Sequence, residues 1–266
     1  GLAGNEKGDG LPYSGWYAPA VNIHRSQFAG RNWEYYSEDG YLSGVFAANV
    51  VSGAQTKGVY TYVKHFAVND QETDREYNGI LVWANEQAMR EIYLKPFELA
   101  VKNGGTMGMM SSFNRLGLTW AGGSYPLMTQ VLRNEWGFRG MVITDYSMNR
   151  YTYVDQMIRA GGDLFLSQDP KSFNKEDDAT QLTLLRQAAK NILYVTANSN
   201  AMSVVTDGYK NPVWYTWVIA GDLAIAALLV LWGVLANKKA RVRDGLAGND
   251  QAGDGAADLQ KAAKKE

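Results

Sequence analysis

Short apolar runs alternate with stretches of helical spacing through the first two hundred residues, and that alternation leaves few architectures open. The strand-like runs fall at residues 15–23, 59–66, 106–111, 140–144 and 163–167, and helical spacing occupies 41–52, 85–103, 126–136 and 151–160. Pro96 is expected to bend or interrupt the second helix. Consecutive apolar residues such as Met141, Val142 and Ile143 suit a strand buried on both faces. The β-α-β-α order therefore predicts a parallel sheet, either doubly wound or closed as a (β/α)8 barrel. No glycine-rich phosphate loop follows any run, which counts against a dinucleotide fold. Five strands are too few to close a barrel, so in a barrel the first strands must come from residues outside this sequence.

A different pattern begins near Val213. Residues 214–236 carry one charge, Asp222, over a length that crosses a bilayer as a helix. Trp214, Tyr215, Trp217 and Trp232 stand toward its two ends as interfacial anchors, and Lys238, Lys239, Arg241 and Arg243 follow at once. That order predicts a single-pass segment with a cytoplasmic C-terminus and the larger domain outside the cell. Asp222 is expected to reach toward the outer interface, the alternative being a contact with a helix partner. The expected organisation is thus a catalytic-type domain over 1–202, a linker over 203–212, a transmembrane helix over 213–236 and a disordered tail over 237–266, with a weak helix near 256–265. The first ten residues are glycine-rich and charged and do not read as a secretory signal, so an external domain implies an upstream segment.

Charge and composition narrow the chemistry. A net charge of −1 with mixed signs offers no basic face for nucleic acid. Without cysteine there is no disulfide, thiolate nucleophile or thiolate metal site, and the two histidines, His24 and His65, do not have metal-ligand spacing. No cofactor or metal is expected. Polar residues instead gather at the ends of the strand runs: Asn22 to Arg25, Lys64 and His65, Ser111 to Asn114, and Asp145. In a barrel this end is the active face. Position alone leaves two roles open for Asp145, a helix N-cap or a reactive carboxylate facing a cleft.

Three blocks carry a resemblance. Gly-Arg-Asn-Trp-Glu-Tyr-Tyr-Ser-Glu-Asp at 30–39, Lys-His-Phe-Ala-Val-Asn-Asp-Gln-Glu-Thr at 64–73 and Val-Ile-Thr-Asp-Tyr at 142–146 resemble, in order and spacing, the signatures of glycoside hydrolase family 3. The likeness runs from about residue 15 to 201. It implies an α/β fold, a partial (β/α)8 TIM-like barrel lacking its first strands, and an exo-acting β-glucosidase-like or β-xylosidase-like hydrolase of oligosaccharides or aryl β-glycosides. It makes Asp145 the nucleophile of a retaining mechanism, which needs a second carboxyl about 5 Å away. Arg31, Lys64 and His65 match ligands of the sugar hydroxyls, and Tyr146 stands where many members stack a tryptophan on the leaving-group sugar. Phe113 falls where many members have a tyrosine that touches the nucleophile, so that hydrogen bond is expected to be lost. Glu34, Glu38, Asp39 and Glu72 are expected to form ion pairs or caps. Pro-Gly-His-Gly does not follow His65, which disfavours the acetamido-sugar branch.

The resemblance also exposes gaps. The glucosidase branch keeps its acid/base on a separate α/β sandwich domain, and a further sugar-binding acid sits on an early strand. Neither is encoded here, and Asp9 in its glycine-rich turn reads as linker. A permuted longer chain, sandwich first and anchor last, would account for both. Three classes of function follow: a membrane-anchored exo-β-glycosidase, a non-catalytic sugar-binding remnant, or a subunit whose partner completes the site.

Overall fold

The computed structural model describes residues 13–75, 80–147, 152–167, 179–202 and 213–262, with side chains as far as Lys239. The chain divides into two units, Gly1–Tyr209 and Lys210–Glu266. Among the described residues of the first, seven strands follow in order: β1 (Gly15–Trp16), β2 (Tyr60–Phe66), β3 (Leu81–Val82), β4 (Gly108–Ser111), β5 (Arg115–Leu116), β6 (Thr119–Trp120) and β7 (Met141–Thr144). The main sheet is parallel throughout, in the order β1-β2-β4-β7. A second, three-stranded sheet, β3-β5-β6, is built from the excursions that leave the C-terminal ends of β2 and β4.

Two of the expected strands are shorter than their apolar pattern suggested. Only Gly15 and Trp16 of the first run form a ladder, because the chain turns through Pro19; pairing resumes where Val21 N–H donates to Lys64 O at 2.8 Å. The run at 163–167 reduces to a bridge between Ile143 and Leu164. Thr144 N–H donates to Leu164 O and Leu164 N–H to Val142 O, each at 3.0 Å, so this segment follows β7 in parallel all the same.

Alternate strand residues serve two cores. Val63, Met109 and Val142 face a cluster with Val51, Phe97, Met128 and Leu132, whereas Tyr62, Met110 and Ile143 face one containing Val195. Both faces are covered, which is why these strands read as continuous apolar runs and not as an alternating pattern. The covering helices are α1 (Gly40–Gln55), α2 (Glu86–Ala88), α3 (Lys95–Lys102), α4 (Val154–Ala160) and α5 (Ala179–Ala197). Asp39 caps α1 by accepting from Tyr41 N and Leu42 N. The helix expected over 85–103 is interrupted at Leu94, whose N–H reaches back five residues to Met89 O just before Pro96. Wide i→i+5 turns also make up Pro126–Glu135. α5 was not foreseen: its apolar residues Leu182, Leu185, Leu193 and Tyr194 are exposed while Gln181 and Asn191 are buried, which blurs any amphipathic stripe.

A buried ion pair sets where β7 starts. The Asp163 carboxylate accepts from Arg133 Nη2 at 2.8 Å, Val142 N at 2.6 Å and Asn191 Nδ2 at 2.8 Å. Arg133 also donates to Gly140 O and Gly161 O. Burial pushes the Asp163 carboxyl up, against the pull of Arg133 and these hydrogen bonds.

The described residues of the second unit form one helix, α6 (Val213–Ala262). Its stretch Val213–Lys239 has a mean hydropathy of 2.4 and is long and apolar enough to cross a membrane. The helix continues to Ala262, through most of the tail expected to be disordered; extending an existing helix needs no new nucleus, so a weak composition can follow it. The expected linker at 203–212 lies outside the described residues.

Candidate active site

Asp145 is the first residue past β7, and its N–H continues the β4–β7 ladder by donating to Ser111 O at 3.0 Å. Among the described residues it caps no helix: α4 begins at Val154, and its N-cap residue, Tyr153, makes no side-chain cap. Its Oδ1 accepts from Tyr146 N at 2.7 Å and its Oδ2 from Arg75 Nη1 at 3.0 Å, with His65 Nε2 at 3.6 Å. The side chain is 14% exposed, a carboxylate half enclosed by cationic and neutral donors.

His65 is fully enclosed in β2. The Asn22 side chain grips its backbone, accepting from His65 N at 2.8 Å and donating to His65 O at 3.0 Å. Burial, then the charges of Arg31, Arg75 and Lys64, hold the imidazole well below the usual histidine range, so it is neutral. Arg31 Nη1 donates to Nε2 at 3.0 Å, which puts the ring proton on Nδ1.

Arg31 is clamped by Glu34 and faces Glu72 Oε1 at 3.6 Å, while Lys64 Nζ lies 3.4 Å from Glu34 Oε2. Glu72 Oε2 accepts from Arg75 Nε at 2.8 Å and Oε1 from Asn69 Nδ2 at 2.8 Å. Asn69 is itself tied to Tyr35, whose hydroxyl donates to Asn69 O and accepts from Asn69 Nδ2. The chain reaches Asn69 through Val68, a β-branched residue at φ +60. Such backbone costs on the order of 1–3 kcal/mol and persists only where its surroundings over-determine it. Asp70 next to it accepts from Ile23 N at 2.7 Å, and burial pushes its carboxyl up to about 6 against the pull of that bond and of Arg25.

Arg31, Lys64, His65, Phe113 and Asp145 thus meet in one constellation, and Tyr146 joins it through its backbone with a half-buried side chain. Phe113 offers Asp145 no hydroxyl; its ring centre lies 5.1 Å from the Arg75 guanidinium carbon, and Arg75 Nη1 donates a hydrogen bond to Asp145. Arg75 was not singled out from the sequence, although it falls two residues beyond the second signature block and three after Glu72, the spacing at which acid and base meet in a turn. Asn22 and Ser112, also at strand ends, serve the scaffold: Ser112 Oγ donates to Ala67 O, and Trp120 Nε1 donates to Ser112 O. Among the described residues no group of three or more histidine, aspartate or glutamate side chains could hold a metal.

The sheet is parallel and a carboxylate stands at the exit of β7 among Arg, Lys and His, the end of the strands at which barrel enzymes keep their reactive groups. Residues 11–194 match the Glycosyl hydrolase family 3 N terminal domain, and the chain belongs to that family of glycoside hydrolases. It is 43% identical over 146 residues to beta-glucosidase A of Butyrivibrio fibrisolvens, covering 55% of this chain and 17% of the relative. It is 36% identical over 220 residues to an exo-alpha-(1->6)-L-arabinopyranosidase of Bifidobacterium longum, covering 80% and 28%. Beta-glucosidase 3B of Thermotoga neapolitana, solved with glycerol, aligns with a TM-score of 0.67 at 34% identity over 76% of this chain and 30% of that one. The chain therefore spans less than a third of the length of these relatives.

Proposed function

We propose that this chain carries the nucleophile half of a retaining, exo-acting β-glycosidase, with Asp145 attacking the anomeric carbon of a terminal non-reducing sugar. The observation that carries this is the setting of Asp145: one oxygen on a backbone N–H, the other on Arg75 at 3.0 Å, beside neutral His65. Arg31, Lys64 and His65 would bind the sugar hydroxyls, and Tyr146 would stack on the leaving group. Glu34 and Glu72 both accept from guanidinium groups, so the acid/base is assigned outside this chain. It would come, with the first barrel strands and an α/β sandwich domain, from a longer product or a partner. Residues 213–236 would anchor the enzyme in a bilayer, with the barrel outside and the C-terminus in the cytoplasm. The substrate is proposed as an oligosaccharide β-glucoside. The arabinopyranosidase relatives favour a pentopyranoside as the second reading.

An activated dinitrophenyl 2-deoxy-2-fluoro-β-glucoside tests the proposal without needing the acid/base. An Asp145 oxygen bonds to the anomeric carbon, the bond to the aryl oxygen breaks, and the dinitrophenolate leaves with the electron pair; the fluorine slows hydrolysis of the ester. Intact mass should show one sugar added, located on Asp145 by peptide mapping and absent in Asp145→Asn. Label on another residue, or equal labelling of Asp145→Asn, would sink the assignment. The same panel with xyloside, galactoside and arabinopyranoside reagents ranks the sugars.

A further inference from the structure

We infer that Glu72 is a positioning residue whose carboxylate sets the Arg75 guanidinium against the nucleophile. The inference rests on Asp145 being that nucleophile. Arg75 is held from three directions: Nε by Glu72 Oε2 at 2.8 Å, Nη1 by Asp145 Oδ2 at 3.0 Å, and one side by the Phe113 ring. A guanidinium is a rigid planar fork, so fixing Nε fixes where Nη1 points. Glu72 keeps that fork engaged edge-on with a single Asp145 oxygen. Without the Glu72 carboxylate holding Nε, the fork can turn both of its terminal nitrogens onto the two oxygens of Asp145 as a bidentate pair, tying up the lone pairs that must attack the sugar.

Glu72 is itself well anchored. Asn69 Nδ2 bonds Oε1 at 2.8 Å, and Arg31 Nη1 faces the same oxygen at 3.6 Å. Its Cβ and Cγ lie where a side chain at residue 30 would intrude, 3.0 Å from the Cβ position of Gly30, which is glycine at φ +97. The charged and titratable groups around it are Arg31 and Arg75, with Tyr35 behind Asn69 and Glu34 behind Arg31.

The groups assigned to the sugar hydroxyls depend less on Glu72. Lys64 answers to Glu34, the His65 backbone to Asn22, and Arg31 chiefly to Glu34. Removing Glu72 should therefore impair attack and spare binding.

The test uses the full chain in detergent with the fluoroglucoside reagent, separating the maximal labelling rate from the concentration that half-saturates it. Glu72→Gln should lower the maximal rate about tenfold to a hundredfold, the loss of one charge-assisted hydrogen bond, and leave half-saturation within about threefold. Glu72→Asp keeps the charge on a shorter arm and should fall between. Glu98→Gln, from an ion pair with Lys95 and Lys102 on α3, should keep wild-type values. Circular dichroism and thermal midpoints accompany each variant, and Glu72→Asp carries the same criterion if Glu72→Gln does not fold. Wild-type maximal rates in a folded Glu72 variant, or a loss confined to half-saturation, overturn the inference while the nucleophile assignment stands. A wild-type chain that takes no label overturns both.

Discussion

At the scale of single residues, the site works by assigning each charge a partner. Arg31, Lys64 and Arg75 stand against Glu34, Glu72 and Asp145, and the only titratable ring among them, His65, is held neutral. Two buried groups make opposite demands on pH. The unfolded His65 titrates near 6.5 and the folded ring far lower, so its contribution to stability is full above about pH 6.5 and is lost as pH falls toward the folded value. Asp70 behaves in reverse: its folded carboxyl titrates at about 6 against 3.8, so its contribution is present below 3.8 and lost as pH rises through about 6. Asp70→Asn removes that titration. Relative to wild type, the variant should gain about 3 kcal/mol between pH 4 and 7, read by denaturant unfolding at each pH. A difference that does not change with pH would show that Asp70 is not protonated in the fold.

At the scale of elements, Asp145 is placed by how β7 begins as much as by how it ends. Gly140 precedes β7 where a Cβ would lie 1.9 Å from Met107 O, a backbone atom that cannot step aside. Gly140→Ala should therefore cost about 3 kcal/mol of stability, measured by denaturant unfolding, because β7 must shift against β4. A variant as stable as wild type would mean the strand start is soft. The elements also show what apolar spacing conveys. β2, β4 and β7 match their apolar runs within two residues because both faces of each are buried. The edge runs at 15–23 and 163–167 read as full strands but pair only in part, since pairing on an edge depends on neighbours that spacing does not encode.

At the scale of the whole molecule, the first unit carries the family fold and the second a helix fit to cross a bilayer. Deleting residues 213–239 should move the protein from a carbonate-resistant membrane fraction to the soluble fraction, checked by sedimentation and immunoblotting. Recovery of the full chain in the soluble fraction would refute the anchor.

The sequence by itself determined the α/β class, the apolar span after Val213 and the candidate residues Arg31, Lys64, His65 and Asp145 that the fold brings together, because strand burial and signature blocks are local in the chain. Only the tertiary structure decided that Asp145 meets Arg75, that Phe113 lies beside that guanidinium, and that Glu72 holds it. Those contacts join loops leaving three different strands, and side-chain direction across such distances is set by packing, which no local pattern records.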